Sequence, residues 1–218
     1  MYCSKPLQEN PEAINSNQKS GDEIMNFKFF KKSLKITAVA VGMLGLMSAQ
    51  AYAKDIKVGI ISSLSGGLAV YGNQTVTGFE MGLEYLTHGT GMIDGRKIVV
   101  LKRDTQTKPA VGKQVLTSLY QDENVDLVVG PVSSGVGTVA KQFKKILIIE
   151  PAVAANITGK DWNRYIFRTS RNSYHDGISN ALARVKPGTY AMGLAQNYAF
   201  GKSGVEAFEL GVKQAGGT

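Results

Sequence analysis

Between residues 54 and 218, short apolar runs alternate with stretches whose apolar residues recur every three or four positions. Ile56-Lys57-Val58-Gly59-Ile60-Ile61 is rich in β-branched residues and predicts a strand, closed by the turn-forming Ser62-Ser63-Leu64-Ser65-Gly66-Gly67. Val76, Phe79, Leu83 and Leu86 then follow at spacings of 3, 4 and 3, which is one face of a helix. Ile98 to Leu101 predicts a second strand, and Asp104 to Pro109 leads into a helix with Val111, Val115 and Leu119 four apart. Asp126 to Val129 predicts a buried strand ending at Gly130. A helix carrying Val139 and Phe143 comes next, then a strand at Ile146 to Ile149. Tyr165 to Arg168 and Tyr190 to Ala195 predict further strands. Ile178, Ala181, Leu182 and Val185 form one helix face between them, and Val205, Phe208 and Val212 mark a last helix.

Strict alternation of strand and helix, with nearly continuous apolar strands, predicts an α/β fold: a parallel sheet with helices on both faces. Ligands of such sheets bind beyond the carboxyl ends of the strands, where the strand order reverses. The loops after Ile61, Val129 and Ile149 are therefore the ones that matter. Residues 54–170 read as one lobe. Residues 171–218 read as a crossover and the start of a second α/β lobe, incomplete after one strand and one helix.

The first fifty residues have a different character. Residues 1–24 are polar, without an apolar period, and read as a non-folding or misassigned upstream extension. Residues 25–53 carry a basic opening (Lys28, Lys31, Lys32, Lys35), the uncharged run Ile36 to Met47, and Ala51-Tyr52-Ala53. That is the layout of a secretory signal peptide cleaved after Ala53. The apolar run would span about 18 Å as a helix, short of the ~30 Å hydrocarbon core of a bilayer. The mature chain is expected to begin at Lys54 and to reside in the periplasm. The single cysteine, Cys3, falls outside it, so neither a disulfide nor a lipid anchor is expected.

Composition narrows the functional classes. The chain has 25 Lys+Arg against 17 Asp+Glu, a net charge of +8, of which residues 1–53 hold only +2. The remaining basic residues are scattered and not interleaved with stacking aromatics, so no nucleic-acid partner is expected. Gly201-Lys202-Ser203 opens a helix but lacks the earlier glycine of a phosphate loop, since Gln196 stands there. Ser133-Ser134-Gly135 sits at a strand end, yet Pro131 and Val132 occupy the glycine positions of a hydrolase elbow. Only His88 and His175 could serve as a base, and the second, with Asp176, reads as a solvated or capping pair. The mature chain has no cysteine and no clustered metal ligands. No catalytic constellation, metal site or cofactor is expected. What remains is binding: Ser133, Ser134 and Gly135 at a helix start would present hydroxyls and N–H groups to a carboxylate. Plain N-capping by serine explains the same spacing equally well.

The ordered set of motifs is more specific than any one of them. Lys57-Val58-Gly59-Ile60, Ser65-Gly66-Gly67-Leu68-Ala69-Val70-Tyr71-Gly72 and Thr77-Gly78-Phe79-Glu80 open it. Gly130-Pro131-Val132-Ser133-Ser134, Glu150-Pro151-Ala152-Val153-Ala154, Phe167-Arg168-Thr169 and Asn197-Tyr198-Ala199-Phe200-Gly201 continue it. Together they resemble the leucine/isoleucine/valine-type solute-binding proteins of ABC transporters, which have the type I periplasmic-binding fold.

The resemblance implies two α/β lobes closing on a ligand, and inner-membrane permease subunits as partners. Carried over by position, it implies that Tyr71 packs beside the ligand and that Ser134 holds its carboxylate. Ala152 and Ala154 would line the next loop, and Phe200 would take the place of an aromatic from the second lobe. Amino-acid binders of this family usually carry Thr where this chain has Ala154, which opens the way to a carboxylate lacking an amine. The implied ligand is a branched-chain amino acid or a related small carboxylate. Members are about twice as long when mature, so the resemblance also implies truncation in the second lobe, with apolar faces such as Val205, Phe208 and Val212 unburied and binding impaired. A ligand-sensing receptor domain of the same fold, or a non-functional fragment, stays open as an alternative.

Overall fold

The computed structural model describes residues 54–218, so the upstream extension and the signal peptide lie outside the described residues. In chain order the elements are β1 (Ile56–Ser62), α1 (Ala69–Thr87), β2 (Met92–Ile93), β3 (Arg96–Asp104), α2 (Pro109–Thr117), β4 (Leu127–Val129), α3 (Ser134–Gly137), β5 (Leu147–Ile149), β6 (Ile166–Arg168), α4 (Ser173–Arg184) and α5 (Ala199–Gln214). The strands form one sheet in the order β2-β3-β1-β4-β5-β6. Every pairing is parallel except the β2–β3 hairpin. Parallel pairing starts in register at Ile56↔Ile98 and Val58↔Leu127, so β1 is flanked by β3 on one side and β4 on the other. The reversal of strand order thus falls between β1 and β4. Their carboxyl ends open onto the Ser62–Gly67 and Gly130–Ser134 loops, as expected for a ligand crevice.

The core lies between the sheet and the α2–α3 layer. Ile61, Val128, Leu147 and Ile149 from the strands pack with Leu116, Leu119, Val136 and Ile157, all essentially inaccessible. Each such side chain contributes about 1.5–3 kcal/mol of burial. On the other face α1 buries Val76 and half-buries Phe79 and Leu83. Leu86 departs from the predicted stripe and is 70% exposed, while Thr87 is buried instead. At about 100° per residue, Thr87 lies about 20° around the helix from Val76 and Leu86 about 80°.

Several elements differ from expectation. The helix predicted to carry Val139 and Phe143 is a single α turn followed by a 3₁₀ stretch, Thr138–Gln142. Gly135 and Gly137 are poor helix formers, and Phe143 turns out to stack at 5.6 Å on Tyr120. Segment 190–195 is not a strand. Its backbone pairing is confined to Thr218, which accepts from Ala191 N–H at 2.7 Å and donates to Thr189 O at 2.9 Å. A strand requires a ladder, and one residue does not supply it.

The expectation of unburied apolar faces on the last helix is also corrected. Val212 is 3% exposed, and Val205 and Phe208 are half-buried, because α4 covers α5. Small residues allow the two helices to touch: a Cβ on Gly177 would come within 2.7 Å of the Ala207 Cβ, and one on Gly211 within 2.7 Å of the Ala181 Cβ.

Candidate functional site

The loops after β4 and β5 both begin with a cis X-Pro bond, Gly130-Pro131 and Glu150-Pro151. They lie side by side, with Ala152 N–H donating to Pro131 O at 3.1 Å. This brings together four of the six predicted site residues. Ser133, Ser134, Ala152 and Ala154 form one wall, each no more than 2% exposed, and the Ala154 N–H donates to Ser134 Oγ at 3.2 Å. With one lone pair taken, the Ser134 hydroxyl still has a proton to give. Ser133 is the residue before α3, but its side chain makes no capping bond. Plain N-capping therefore does not account for it. The helix behind it has only four residues, so the hydroxyl, more than a helix dipole, is what this turn offers an anion.

The segment carrying Ala152 and Ala154 is held on both sides. Val153 O accepts from Ser173 N–H at 2.8 Å and from Ser173 Oγ at 3.1 Å. Ala152 O and Ala154 O both accept from the Arg168 guanidinium. Burial lowers the Arg168 pKa from its ordinary value, and the nearby Glu150 carboxylate opposes that shift.

The first turn of α5 covers the wall. Ala155 N–H donates to Ser203 Oγ at 2.9 Å, and the Tyr198 ring lies against Gly135. Tyr198 was not among the predicted site residues, although it sits in the motif quoted above; its ring is 6.0 Å from that of Phe200. Burial raises the Tyr198 phenol pKa. Phe200 is 38% exposed and borders a cavity of about 400 Å³ shared with Val153, Ser173 and Phe208. Tyr71, in the first turn of α1, is 59% exposed and stays outside the buried wall. A larger cavity of about 710 Å³ opens between Thr138, Asn156, Asp161, Lys202 and Glu206 and contains none of the predicted residues.

His88 ends α1 in the left-handed region at φ 50°, and His175 Nδ1 accepts the Asn172 N–H at 3.0 Å within a capping box. Trp162 donates its indole N–H to Ile166 O at 2.9 Å and is 54% exposed.

A family model described as periplasmic binding protein matches residues 55–218. The chain belongs to that family. Among curated relatives, the Leu/Ile/Val-binding protein of Citrobacter freundii is 30% identical over 163 residues, covering 71% of this chain and 44% of that protein. An ABC-type branched-chain amino acid transporter structure from Rhodopseudomonas palustris is 50% identical, with a TM-score of 0.63, covering 75% of this chain and 45% of its own. A solute-binding protein of an ABC transporter from the same species, solved with benzoate, is 26% identical with a TM-score of 0.65, covering 75% and 46%. The chain thus spans about half the length of the relatives it matches. The first and third of these are named as binding proteins.

Proposed function

We propose that this chain belongs to the capture component of an ABC importer, exported to the periplasm, and that its ligand is a small carboxylate. The observation that carries this reading is the buried wall of Ser133, Ser134, Ala152 and Ala154 at the strand-order reversal, with the Ser134 proton unspent. Ser134 donates to the ligand carboxylate, the Ala152–Ala154 backbone forms the adjoining side, and Tyr71, Tyr198 and Phe200 supply aromatic surface around it. Ligand entry requires the first turn of α5 to move off the wall, which is how a two-part clamp admits solute. Residues 54–170 act as one jaw and 171–218 as the beginning of the other, with permease subunits as the recipient of the ligand.

Two ligand classes come from the relatives, branched-chain amino acids and benzoate-type acids. The fully buried Ala154 methyl favours the second, because it offers an ammonium no acceptor. The test is calorimetric titration of the exported chain with L-leucine and with benzoate, for the native residue and for Ser134→Ala. A charge-assisted hydrogen bond of this kind is worth about 1.5–3 kcal/mol, so Ser134→Ala should weaken binding at least about tenfold. An unchanged dissociation constant would place the carboxylate elsewhere.

A further inference from the structure

We infer that Arg168 is a positioning residue for this site, setting the direction of the Ser134 hydroxyl through the backbone between them; the inference rests on the carboxylate reading above. Arg168 is the last residue of β6, and its planar group reaches back to the loop after β5. Nη2 donates to Ala154 O at 2.8 Å, Nη1 donates to Ala152 O, and Nε donates to Thr158 Oγ1 at 3.3 Å. One guanidinium therefore spans two carbonyls two residues apart, which in an extended segment point to the same side.

The carbonyl between them, that of Val153, points the other way and is taken by Ser173. The amide that shares its peptide plane is the Ala154 N–H, which donates to Ser134 Oγ. The three successive carbonyls are thus fixed in alternating directions by Arg168, Ser173 and Arg168 again. With its neighbours fixed, the Ala154 N–H has one direction available, and it occupies the Ser134 lone pair that would otherwise compete with a ligand-facing orientation. The hydroxyl proton is left for an incoming acceptor. A lysine cannot substitute, because an ammonium is a point charge without the fork needed to bridge both carbonyls.

Arg168 and Ser173 flank the stretch that leads from the sheet into α4. Movement of that stretch therefore reaches Ser134 through a single peptide plane, with no contact between Arg168 and the ligand.

The experiment uses the exported chain, with benzoate and L-leucine as probes and amide exchange followed by nuclear magnetic resonance. In Arg168→Lys the Ala154 amide should exchange about tenfold faster or more, with the Leu147 and Ile149 amides of β5 unchanged, as expected of a local opening. Probe affinity should fall about tenfold. The double variant Ser134→Ala/Arg168→Lys should lose little beyond Ser134→Ala alone, since the two residues act in series. Additive losses, or native exchange at Ala154 in Arg168→Lys, overturn the positioning role. If Arg168→Lys does not fold, the native protein decides: a held guanidinium gives separate Nη resonances, and a single averaged signal overturns the inference. If the native chain binds neither probe, the exchange and Nη measurements alone decide whether Arg168 holds the loop.

Discussion

The Asp104 carboxylate accepts the Ser65 hydroxyl at 2.5 Å, joining the end of β3 to the loop after β1. The same carboxylate takes the N–H groups of Leu64 at 2.9 Å, Ser65 at 3.3 Å and Gln106 at 2.8 Å. Burial raises its pKa, but the Ser65 hydroxyl and the three backbone donors outweigh that and lower it from its ordinary value. Asp104 therefore fastens the loop after β1 to the end of β3.

Replacing it by Asn removes the charge and turns one acceptor into a donor facing other donors. Asp104→Asn should cost about 1–3 kcal/mol in chemical denaturation. The sign of the pH effect follows from the lowered pKa. Asp104 stabilises the folded chain above the unfolded carboxylate value of about 3.9, and this is lost as pH falls through the lower folded value. Asp161 acts in the same direction, lowered by the Lys141 ammonium at 2.8 Å and by Asn156, with burial opposing. The thermal midpoint should therefore fall as pH is lowered below about 4, and less steeply in Asp104→Asn. Equal acid slopes in the two proteins would remove Asp104 from the account.

Two glycines of α5 should respond oppositely to an added side chain. At Gly211 a Cβ would lie 2.7 Å from Ala181 and 2.9 Å from the Ile178 Cα, whereas Gly204 has nothing within 4 Å. Gly211→Val should destabilise by about 1–3 kcal/mol through overpacking against α4. Gly204→Ala should stabilise by up to about 1 kcal/mol through helix propensity. Urea midpoints of the two variants measure both.

Ala154→Thr restores the hydroxyl that the resemblance leads one to expect. It should raise the affinity for L-leucine relative to its deaminated analogue, 4-methylpentanoate, by about tenfold, the worth of one hydrogen bond to a charged group. An unchanged ratio in competition titrations would show that position 154 does not read the amine.

Export predicts a mature amino terminus at Lys54. N-terminal sequencing of the periplasmic fraction should read Lys-Asp-Ile-Lys-Val, and a start upstream of Met25 would contradict the cleavage site.

The sheet was legible because each parallel strand is an apolar run bracketed by turn residues, as Ile56–Ile61 shows. The β2–β3 hairpin escaped notice although its signal was present. Asp94-Gly95, both at positive φ (49° and 74°), is the residue pair that a tight two-residue turn requires. In the site, Ser133 and Ser134 could be read from their place after a strand end, whereas Ala152 and Ala154 came only from the resemblance. Arg168 and Ser173 could not be read from the sequence as holders of that loop. Their role depends on which carbonyls lie within reach after folding, and residue spacing does not encode that. Segment 190–195 misled for a related reason, since strand propensity is local and a ladder is not.

The chain carries a single tryptophan, and the structure gives it a defined setting. Trp162 is tied through its indole nitrogen to the backbone of Ile166, at the head of the strand that ends in Arg168, while about half of the residue's surface faces solvent. Its emission therefore reports on one place without interference from another indole. A shift of the β6 strand would alter the water around that ring, making the chain its own optical gauge of the segment that joins sheet to α4.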